Sequence, residues 1–205
     1  MITHVIFDFD GVMAETGFRL ALASMSTDSD LELSEIAGQG MRALLKSGYV
    51  TGQGSEEDFW DLLCETTDIR GDRSMLRAEI IARSVLRPQM LETVDQLRAS
   101  GLTVALLSDH TDWLDEIVAD TGFTDHFDYF YNSYYLQQSK RDPLVFDRVV
   151  KLMEAVAGET LFVDDNPANV ERAVSRGLLG IVYQDFAQLV SEMAALGLEV
   201  IEPVE

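Results

Sequence analysis

Polar residues that can bind a metal ion or a phosphate group follow several short apolar runs of this chain. In chain order they are Asp8 and Asp10, Ser108 and Asp109, Lys140, and Asp164 and Asp165. If the apolar runs are parallel strands of one open sheet, these side chains collect beyond the carboxyl ends of the strands, where such sheets bind ligands. The sequence therefore predicts a single site built from carboxylates, a hydroxyl and an ammonium group.

The residue types restrict the chemistry of that site. Clustered aspartates without histidine or cysteine suit a hard divalent cation, and we expect Mg²⁺. A serine hydroxyl and a lysine ammonium can hold phosphate oxygens and offset charge in the transition state. Because no Ser–His or Cys–His arrangement is evident, a carboxylate is the natural nucleophile, and it would form an aspartyl-phosphate. A second carboxylate two residues away can act as general acid and base.

Each of these residues also has an ordinary structural explanation. An Asp-x-Asp-Gly turn resembles a calcium loop, but an EF-hand places its glycine at the sixth position and Gly11 is fourth from Asp8. Ser108 alone fits a helix N-cap, Lys140 a solvated surface residue, and Asp164-Asp165-Asn166-Pro167 a turn before a helix. Their common position after neighbouring strands favours the site.

The pattern of hydrophobic residues predicts the elements that position this site. Short, nearly continuous apolar runs are typical of parallel strands covered on both faces. They are residues 3–7, 102–107, 128–131, 160–163 and 180–183. Helical periodicity separates them, with helices from Pro88 to a stop at Gly101, from Pro143 to Val156, and from Pro167 to about Gly177. This alternation predicts an α/β fold with a Rossmann-like, doubly wound parallel sheet.

The segment between the first two strands shows only helical patterns. We predict helices at residues 16–27, 33–46, 56–67 and 74–84, with Asp30 or Ser34, Ser55 and Asp72 near N-caps. An insert of this length exceeds an ordinary crossover. The predicted organisation is an α/β core of residues 1–14 and 88–205, with residues 15–87 inserted as a helical cap in the form of a four-helix bundle.

Four stretches occur in the order found in a known enzyme superfamily. They are VIFDFDGV, VALLSD, SKRDPLVF and LFVDDNPANVERA, and together they extend over nearly the whole chain. The first and last are highly specific. The sequence resembles the haloacid dehalogenase superfamily in its phosphatase branch, and the insert resembles the cap of sugar-phosphate phosphatases and of the N-terminal phosphatase domain of soluble epoxide hydrolases.

The resemblance implies a role for each motif residue. Asp8 would be the nucleophile and a metal ligand, while Asp10 would act as general acid and base and bind the metal through its backbone carbonyl. Ser108 would hold a phosphoryl oxygen, and Lys140 would balance the charges of the nucleophile and phosphate. The resemblance makes Asp165 a metal ligand, with Asp164 binding the metal directly or through water.

Two departures from the family pattern lie beside the predicted site. Asp109 stands where family members commonly carry a neutral residue, so it would repel phosphate unless it turns away to cap the next helix. Arg141 replaces the usual proline after the lysine. It is either a phosphate or substrate contact or the partner of a neighbouring acid. We count both residues as candidate substrate-binding residues.

We therefore expect a Mg²⁺-dependent phosphomonoester hydrolase acting on a small phosphorylated metabolite such as a sugar phosphate. The alternatives are a phosphosugar mutase, which shares the aspartyl-phosphate step, a haloacid dehalogenase, and a non-catalytic family member. The pairs Asp8/Asp10 and Asp164/Asp165 argue against the dehalogenase, because cleavage of a carbon–halogen bond needs no proton donor or metal. A receiver-like signalling module is disfavoured because receivers lack a long insert and carry the phosphorylated aspartate after the third strand.

The charge excludes whole classes of partner. With 36 acidic and 15 basic residues the formal charge is −21, so we expect no binding to nucleic acid or to an anionic membrane. One cysteine, Cys64, excludes an intrachain disulfide. No apolar run is long enough to cross a bilayer, and no signal-peptide pattern is evident, so a cytoplasmic location is expected. The sequence does not indicate an oligomeric state.

Overall fold

Five parallel strands form one sheet in the computed structural model, which describes residues 1–25 and 33–201. The strands are β1 (His4–Phe7), β2 (Thr103–Ser108), β3 (Tyr129–Asn132), β4 (Thr160–Asp164) and β5 (Leu179–Val182). Their order across the sheet is β3-β2-β1-β4-β5. The predicted α/β fold with a doubly wound parallel sheet is confirmed, and each strand lies within two residues of its predicted bounds.

Ten helices connect or cover the strands in the described ranges. They are α1 (Gly17–Met25), α2 (Leu33–Ser47), α3 (Glu56–Thr66), α4 (Arg73–Ala82), α5 (Pro88–Ala99), α6 (Trp113–Thr121), α7 (Ser133–Leu136), α8 (Leu144–Leu152), α9 (Pro167–Ser175) and α10 (Phe186–Ala195). The sequence analysis did not predict α6, α7 or α10. None of these helices combines the length and hydropathy that a membrane span requires.

Both faces of the sheet are buried, as the continuous apolar strands require. In β1, Val5 and Phe7 contribute to one hydrophobic cluster and Ile6 to another on the opposite face. Successive strand residues point to opposite faces, so each face of β1 packs against its own layer of helices. This rigid support holds the carboxyl end of the central strand in place.

Helix ends follow local backbone signals. Gly101, with φ of +88°, ends α5 in a Schellman motif, in which the Leu102 amide donates to the Leu97 carbonyl, so the predicted stop is confirmed. The helix predicted to reach Val156 ends at Leu152 instead. There Glu154 takes a left-handed φ of 54°, and the amide of Ala155 closes the same motif. Glycine usually marks such a helix end in a sequence, so a glutamate in this conformation does not indicate it.

Helices α1 to α4 share a hydrophobic cluster in the described part of the chain. Trp60 and Phe59 of α3 lie within it, and Trp113 of α6 belongs to the same cluster. Ser55 and Asp72 cap α3 and α4 as predicted. Ser34 lies inside α2, while the alternative cap Asp30 and the predicted end of the first helix fall outside the described residues. The division into a core and a cap at residues 15 and 87 stays a prediction.

Candidate active site

Strand register brings the acidic motifs together. Phe7 of β1 pairs with Val163 of β4, and the backbone amide of Asp8 donates to the Val163 carbonyl at 2.9 Å. Asp8 and Asp164, the next residues after this pair, therefore lie side by side at the carboxyl edge of the sheet. Ser108 ends the neighbouring strand β2 on the other side of β1. The sheet order thus gathers residues that are far apart in the sequence.

Lys140 joins two of these carboxylates. Its Nζ lies 2.6 Å from Asp8 Oδ1 and 2.7 Å from Asp164 Oδ2, and the residue is 1% exposed. Burial alone lowers the pKa of this ammonium, but the charges of Asp164, Asp8 and Asp109 outweigh it and raise the pKa. Lys140 therefore remains protonated in its buried position, where it neutralises part of the acidic charge.

The surroundings of Asp8 disfavour the ionised form of its carboxyl group. Its Oδ1 accepts a hydrogen bond from the backbone amide of Phe9 at 2.7 Å in addition to the Lys140 contact. Burial and then the neighbouring charge of Asp164 raise the pKa of Asp8 well above its usual value, although Lys140 opposes both effects. A further positive charge at this position would stabilise the carboxylate.

The two adjacent aspartates after β4 have different surroundings. Asp164 is fully buried, and its oxygens accept hydrogen bonds from Lys140, from the Asn166 amide at 2.8 Å, and from Asn169 Nδ2 at 3.0 and 3.2 Å. Asp165 lines the central cavity, and its carboxylate forms no hydrogen bond with any residue that the structure describes. Burial and the charge of Asp164 raise its pKa. Asp165 is therefore the more available ligand.

Gly11 leaves the space that the Asp165 carboxylate occupies. Its φ of +83° is a left-handed conformation that favours glycine, and a Cβ there would lie 2.7 Å from Asp165 Cγ. The backbone turn after Asp10 and the position of Asp165 are thus linked sterically.

Asp10 lines the same cavity as Asp8. Its Oδ1 is buried without a hydrogen-bond partner among the described residues, while its Oδ2 lies 3.9 Å from His110 Nε2. Burial raises the pKa of Asp10, although His110 and Lys140 oppose the effect. A carboxyl group with a raised pKa beside a nucleophile suits proton transfer. His110, in the loop that follows β2, is a buried residue next to this acid.

Asp109 does not cap the next helix, and its carboxylate pairs with no side chain among the residues that the structure describes. Both of its oxygens accept the backbone amide of Lys140, at 2.9 and 3.1 Å. The carboxylate therefore fixes the loop that carries Lys140, which explains why an acid is tolerated after Ser108. Burial raises the pKa of Asp109, which lowers the cost of this position beside other acids.

Ser108 is placed at the strand end as expected, but it does not line the cavity. The residue is 1% exposed, and no group in the described ranges forms a hydrogen bond with its Oγ. A buried hydroxyl without a partner costs free energy unless a ligand or water satisfies it.

A cavity of about 590 Å³ opens above these groups. Asp8, Asp10, Asp109, Lys140 and Asp165 contribute to its wall, as does Arg141. The other residues that line it are Thr16, Phe18, Arg19, Met41, Asn166, Pro167, Ala168, Asn169 and Arg172. Its volume is in the range of about 300–1,000 Å³ that is typical of small-molecule sites.

Sequence reasoning missed some of this lining. Met41 of α2 lines the cavity but was not identified from the sequence. Asn169 and Arg172 received no role, although they follow the Asp164-Asp165 pair at the spacing of helical turns. Their position on the first turns of α9, which begins beside the acidic pair, is a signal that could have identified them.

The donor set fits a divalent cation. Oxygens of Asp8, Asp164 and Asp165 all lie within 4.8 Å of one another. Three carboxylates this close repel, which agrees with the raised pKa of Asp8 and of Asp165. All the donors are hard oxygens, so the chemistry of the set suits Mg²⁺.

Comparison with known proteins agrees with this geometry. The family model described as haloacid dehalogenase-like hydrolase matches residues 2–175. The rat bifunctional epoxide hydrolase 2 is 29% identical over 119 residues, which cover 55% of this chain but only 21% of that protein. The D-ribitol-5-phosphate phosphatase of Bacteroides thetaiotaomicron is 25% identical over 83% of this chain and 86% of its own length.

A solved structure extends the similarity to the fold. The HAD family enzyme BT-2542 of Bacteroides thetaiotaomicron, crystallised with magnesium and inorganic phosphate, superposes with a TM-score of 0.70. It is 21% identical, and the match covers 92% of this chain and 99% of that one. Together with the family model, the parallel sheet and the acidic site at its carboxyl edge, this places the chain in a family. It belongs to the haloacid dehalogenase-like hydrolases.

Proposed function

We propose that this protein is a Mg²⁺-dependent phosphomonoester hydrolase that acts on a small phosphorylated metabolite through an aspartyl-phosphate. The observation that carries the proposal is the pair Asp8 and Asp10 facing one cavity, with Lys140 bound to Asp8 at 2.6 Å. Similarity to the D-ribitol-5-phosphate phosphatase, and to a HAD family enzyme crystallised with magnesium and inorganic phosphate, supports the proposal.

In the first step, a carboxylate oxygen of Asp8 attacks phosphorus and the bond from phosphorus to the ester oxygen breaks. The raised pKa of Asp10 favours a protonated carboxyl, which gives its proton to the departing alcohol oxygen. In the second step a water oxygen attacks the phosphorus of the aspartyl-phosphate. Asp10 accepts the water proton, Asp8 leaves as a carboxylate, and inorganic phosphate is released.

The remaining groups stabilise charge. Asp8 and Asp165, with Asp164, would hold Mg²⁺, which when bound offsets the negative charge of the phosphoryl oxygens. Lys140 favours the ionised form of Asp8 and would face the phosphoryl group, and the Ser108 hydroxyl, unpaired among the described residues, can donate to a phosphoryl oxygen. Asp109 acts indirectly, because it holds the Lys140 backbone.

The helices between residues 15 and 87 are proposed to form a cap over this site. Thr16, Phe18 and Met41, from this segment, line the cavity together with the motif residues of the sheet. A cap limits the size of the substrate and excludes bulk water from the nucleophile. This geometry favours a small metabolite over a macromolecule.

The test measures phosphate release from a panel of phosphomonoesters, with Mg²⁺ or with EDTA. Wild type and the exposed control Asp120→Asn are expected to release phosphate only with Mg²⁺, and Asp8→Asn to release none. Undiminished turnover by Asp8→Asn would remove Asp8 as nucleophile. Interconversion of a sugar phosphate without phosphate release would establish a mutase instead, and metal-independent halide release from a 2-haloacid would establish a dehalogenase.

A further inference from the structure

Three arginines from separate elements line the cavity. Arg19 lies on α1, Arg141 in the segment between α7 and α8, and Arg172 on α9. They join Lys140, which is one of only three lysines in the chain. For a protein with a formal charge of −21, this is a local concentration of positive charge.

None of the three arginines forms an ion pair with a carboxylate among the described residues, and of the three only Arg172 has a side-chain hydrogen bond, to the side-chain amide of Asn169. In the described ranges six other arginines form ion pairs with carboxylates, namely Arg73, Arg77, Arg83, Arg87, Arg98 and Arg176. The side chains of Arg19 and Arg141 form no hydrogen bond or ion pair with any residue described there. Two guanidinium groups on one cavity wall that pair with no carboxylate in the described ranges leave positive charge for a ligand.

Arg172 is connected to the catalytic cluster. One of its terminal nitrogens donates to Asn169 Oδ1 at 2.9 Å, and Asn169 Nδ2 donates to Asp164 Oδ2 at 3.0 Å. Asp164 in turn accepts from Lys140. This chain of hydrogen bonds orients the Arg172 guanidinium, whose remaining N–H groups can bind an anion in the cavity.

The arginines are distinct from Lys140, the residue proposed to face the transferred phosphoryl group. Lys140 is buried and already has Asp8 and Asp164 as partners, whereas Arg19 and Arg141 are exposed at the cavity wall. Their environments also differ, since Arg141 acts electrostatically on Asp109 and Arg19 on Asp165. Both guanidinium groups are therefore close enough to the acids of the cavity to act on them electrostatically.

We propose that the substrate carries a second anionic group, a carboxylate or a second phosphate, which Arg19, Arg141 and Arg172 bind. The planar guanidinium donates two parallel hydrogen bonds to either group, so both belong to the same recognition chemistry. This inference rests on the proposed function and specifies its substrate class as phosphomonoesters with an additional charge, unlike an uncharged polyol phosphate.

The test compares matched ligands in the Asp8→Asn protein with Mg²⁺, by isothermal titration calorimetry, so that turnover is not required. Each pair differs only in the second group: 3-phosphoglycerate against glycerol 3-phosphate tests a carboxylate, and fructose 1,6-bisphosphate against fructose 6-phosphate tests a phosphate. We expect at least one anionic member to bind about tenfold or more tightly than its partner. Arg19→Gln or Arg141→Gln introduced into this protein should abolish the preference, whereas the surface control Arg148→Gln should retain it.

Three results would overturn the proposal: equal affinity within both pairs, unchanged preference in the arginine variants, or an equal loss for both members of each pair. The last would mean that the arginines contact the shared phosphoryl group. Hydrolysis by wild type without any preference would leave the proposed function standing and remove only this inference. If the arginine variants abolish a preference for charged ligands but wild type hydrolyses none of them, this inference would stand and the proposed function would fall.

Discussion

Replacement of Lys140 by methionine tests how the buried ion cluster supports the fold. The ammonium lies 2.6 Å from Asp8 and 2.7 Å from Asp164, and its side chain is 2% exposed. Methionine keeps an unbranched chain of similar length but removes the charge, so two buried carboxylates lose their common partner. Removal of one partner of a buried pair costs about 3–5 kcal/mol.

This cost is measurable as a change in thermal stability. For a domain of about 150–250 residues, each kcal/mol shifts Tm by about 2–4 °C, so Lys140→Met should lower Tm by about 6–20 °C in EDTA. Lys151→Met removes an exposed lysine and should shift Tm by no more than about 2 °C. Adding Asp164→Asn to Lys140→Met should recover part of the loss, because only one of the two carboxylates that contacted Lys140 then remains.

The decrease in Tm caused by Lys140→Met should also depend on pH, in a direction that the pKa of Asp8 determines. Burial and Asp164 raise the pKa of Asp8, and Lys140→Met removes the positive charge that opposes them. An acid whose pKa is raised by folding destabilises the fold above that pKa and stops doing so as the pH falls through it. The difference in Tm between wild type and Lys140→Met should therefore shrink from pH 8 to pH 5. A variant that unfolds within 2 °C of wild type in EDTA would refute the ion-cluster argument.

Two further variants test the surroundings of the site. Gly11→Ala should weaken Mg²⁺ binding by about tenfold or more, measured by calorimetry, because its Cβ displaces the Asp165 carboxylate; unchanged affinity would contradict the steric linkage. Glu15→Gln should lower Tm slightly at pH 7, because the ion pair with Arg87, which lowers the pKa of Glu15, is lost. That stability is present above the usual pKa of a glutamate and is lost as the pH falls through the lowered pKa of Glu15 in the folded protein. The difference in Tm should therefore vanish below that lowered pKa, and its persistence there would assign the effect to packing.

Local patterns were sufficient for the strands and for the motif residues. Continuous apolar runs identify strands buried on both faces, and the acids that follow β1 and β4 mark the carboxyl edge of the sheet. Pro88 and Gly101 bound α5 because the backbone preferences of proline and glycine act within a few residues. The end of α8 at Leu152 could not be read in this way, because Glu154 has no intrinsic preference for its left-handed conformation.

Only the tertiary structure shows which group each acidic side chain of the site contacts. The sequence left open whether Asp109 repels phosphate or caps a helix, and the fold directs it to the backbone amide of Lys140, 31 residues away. The sequence likewise could not distinguish the two adjacent aspartates. In the structure the oxygens of Asp164 accept hydrogen bonds from Lys140 and Asn169, whereas Asp165 faces the cavity. These outcomes depend on which loops the sheet order brings side by side.

The sequence by itself determined the family, the parallel sheet and the set of residues available for phosphoryl chemistry, because these follow from residue type and short-range order. Only the tertiary structure decided which carboxylate pairs with Lys140, and that Arg19 and Arg141 lack acidic partners in the described part of the chain. The physical reason is that ion pairing and burial depend on distances through space. The sequence, with 36 acids and 15 bases, does not indicate which arginines lack an acidic partner, and only the fold shows that Arg19 and Arg141 lie at the cavity wall.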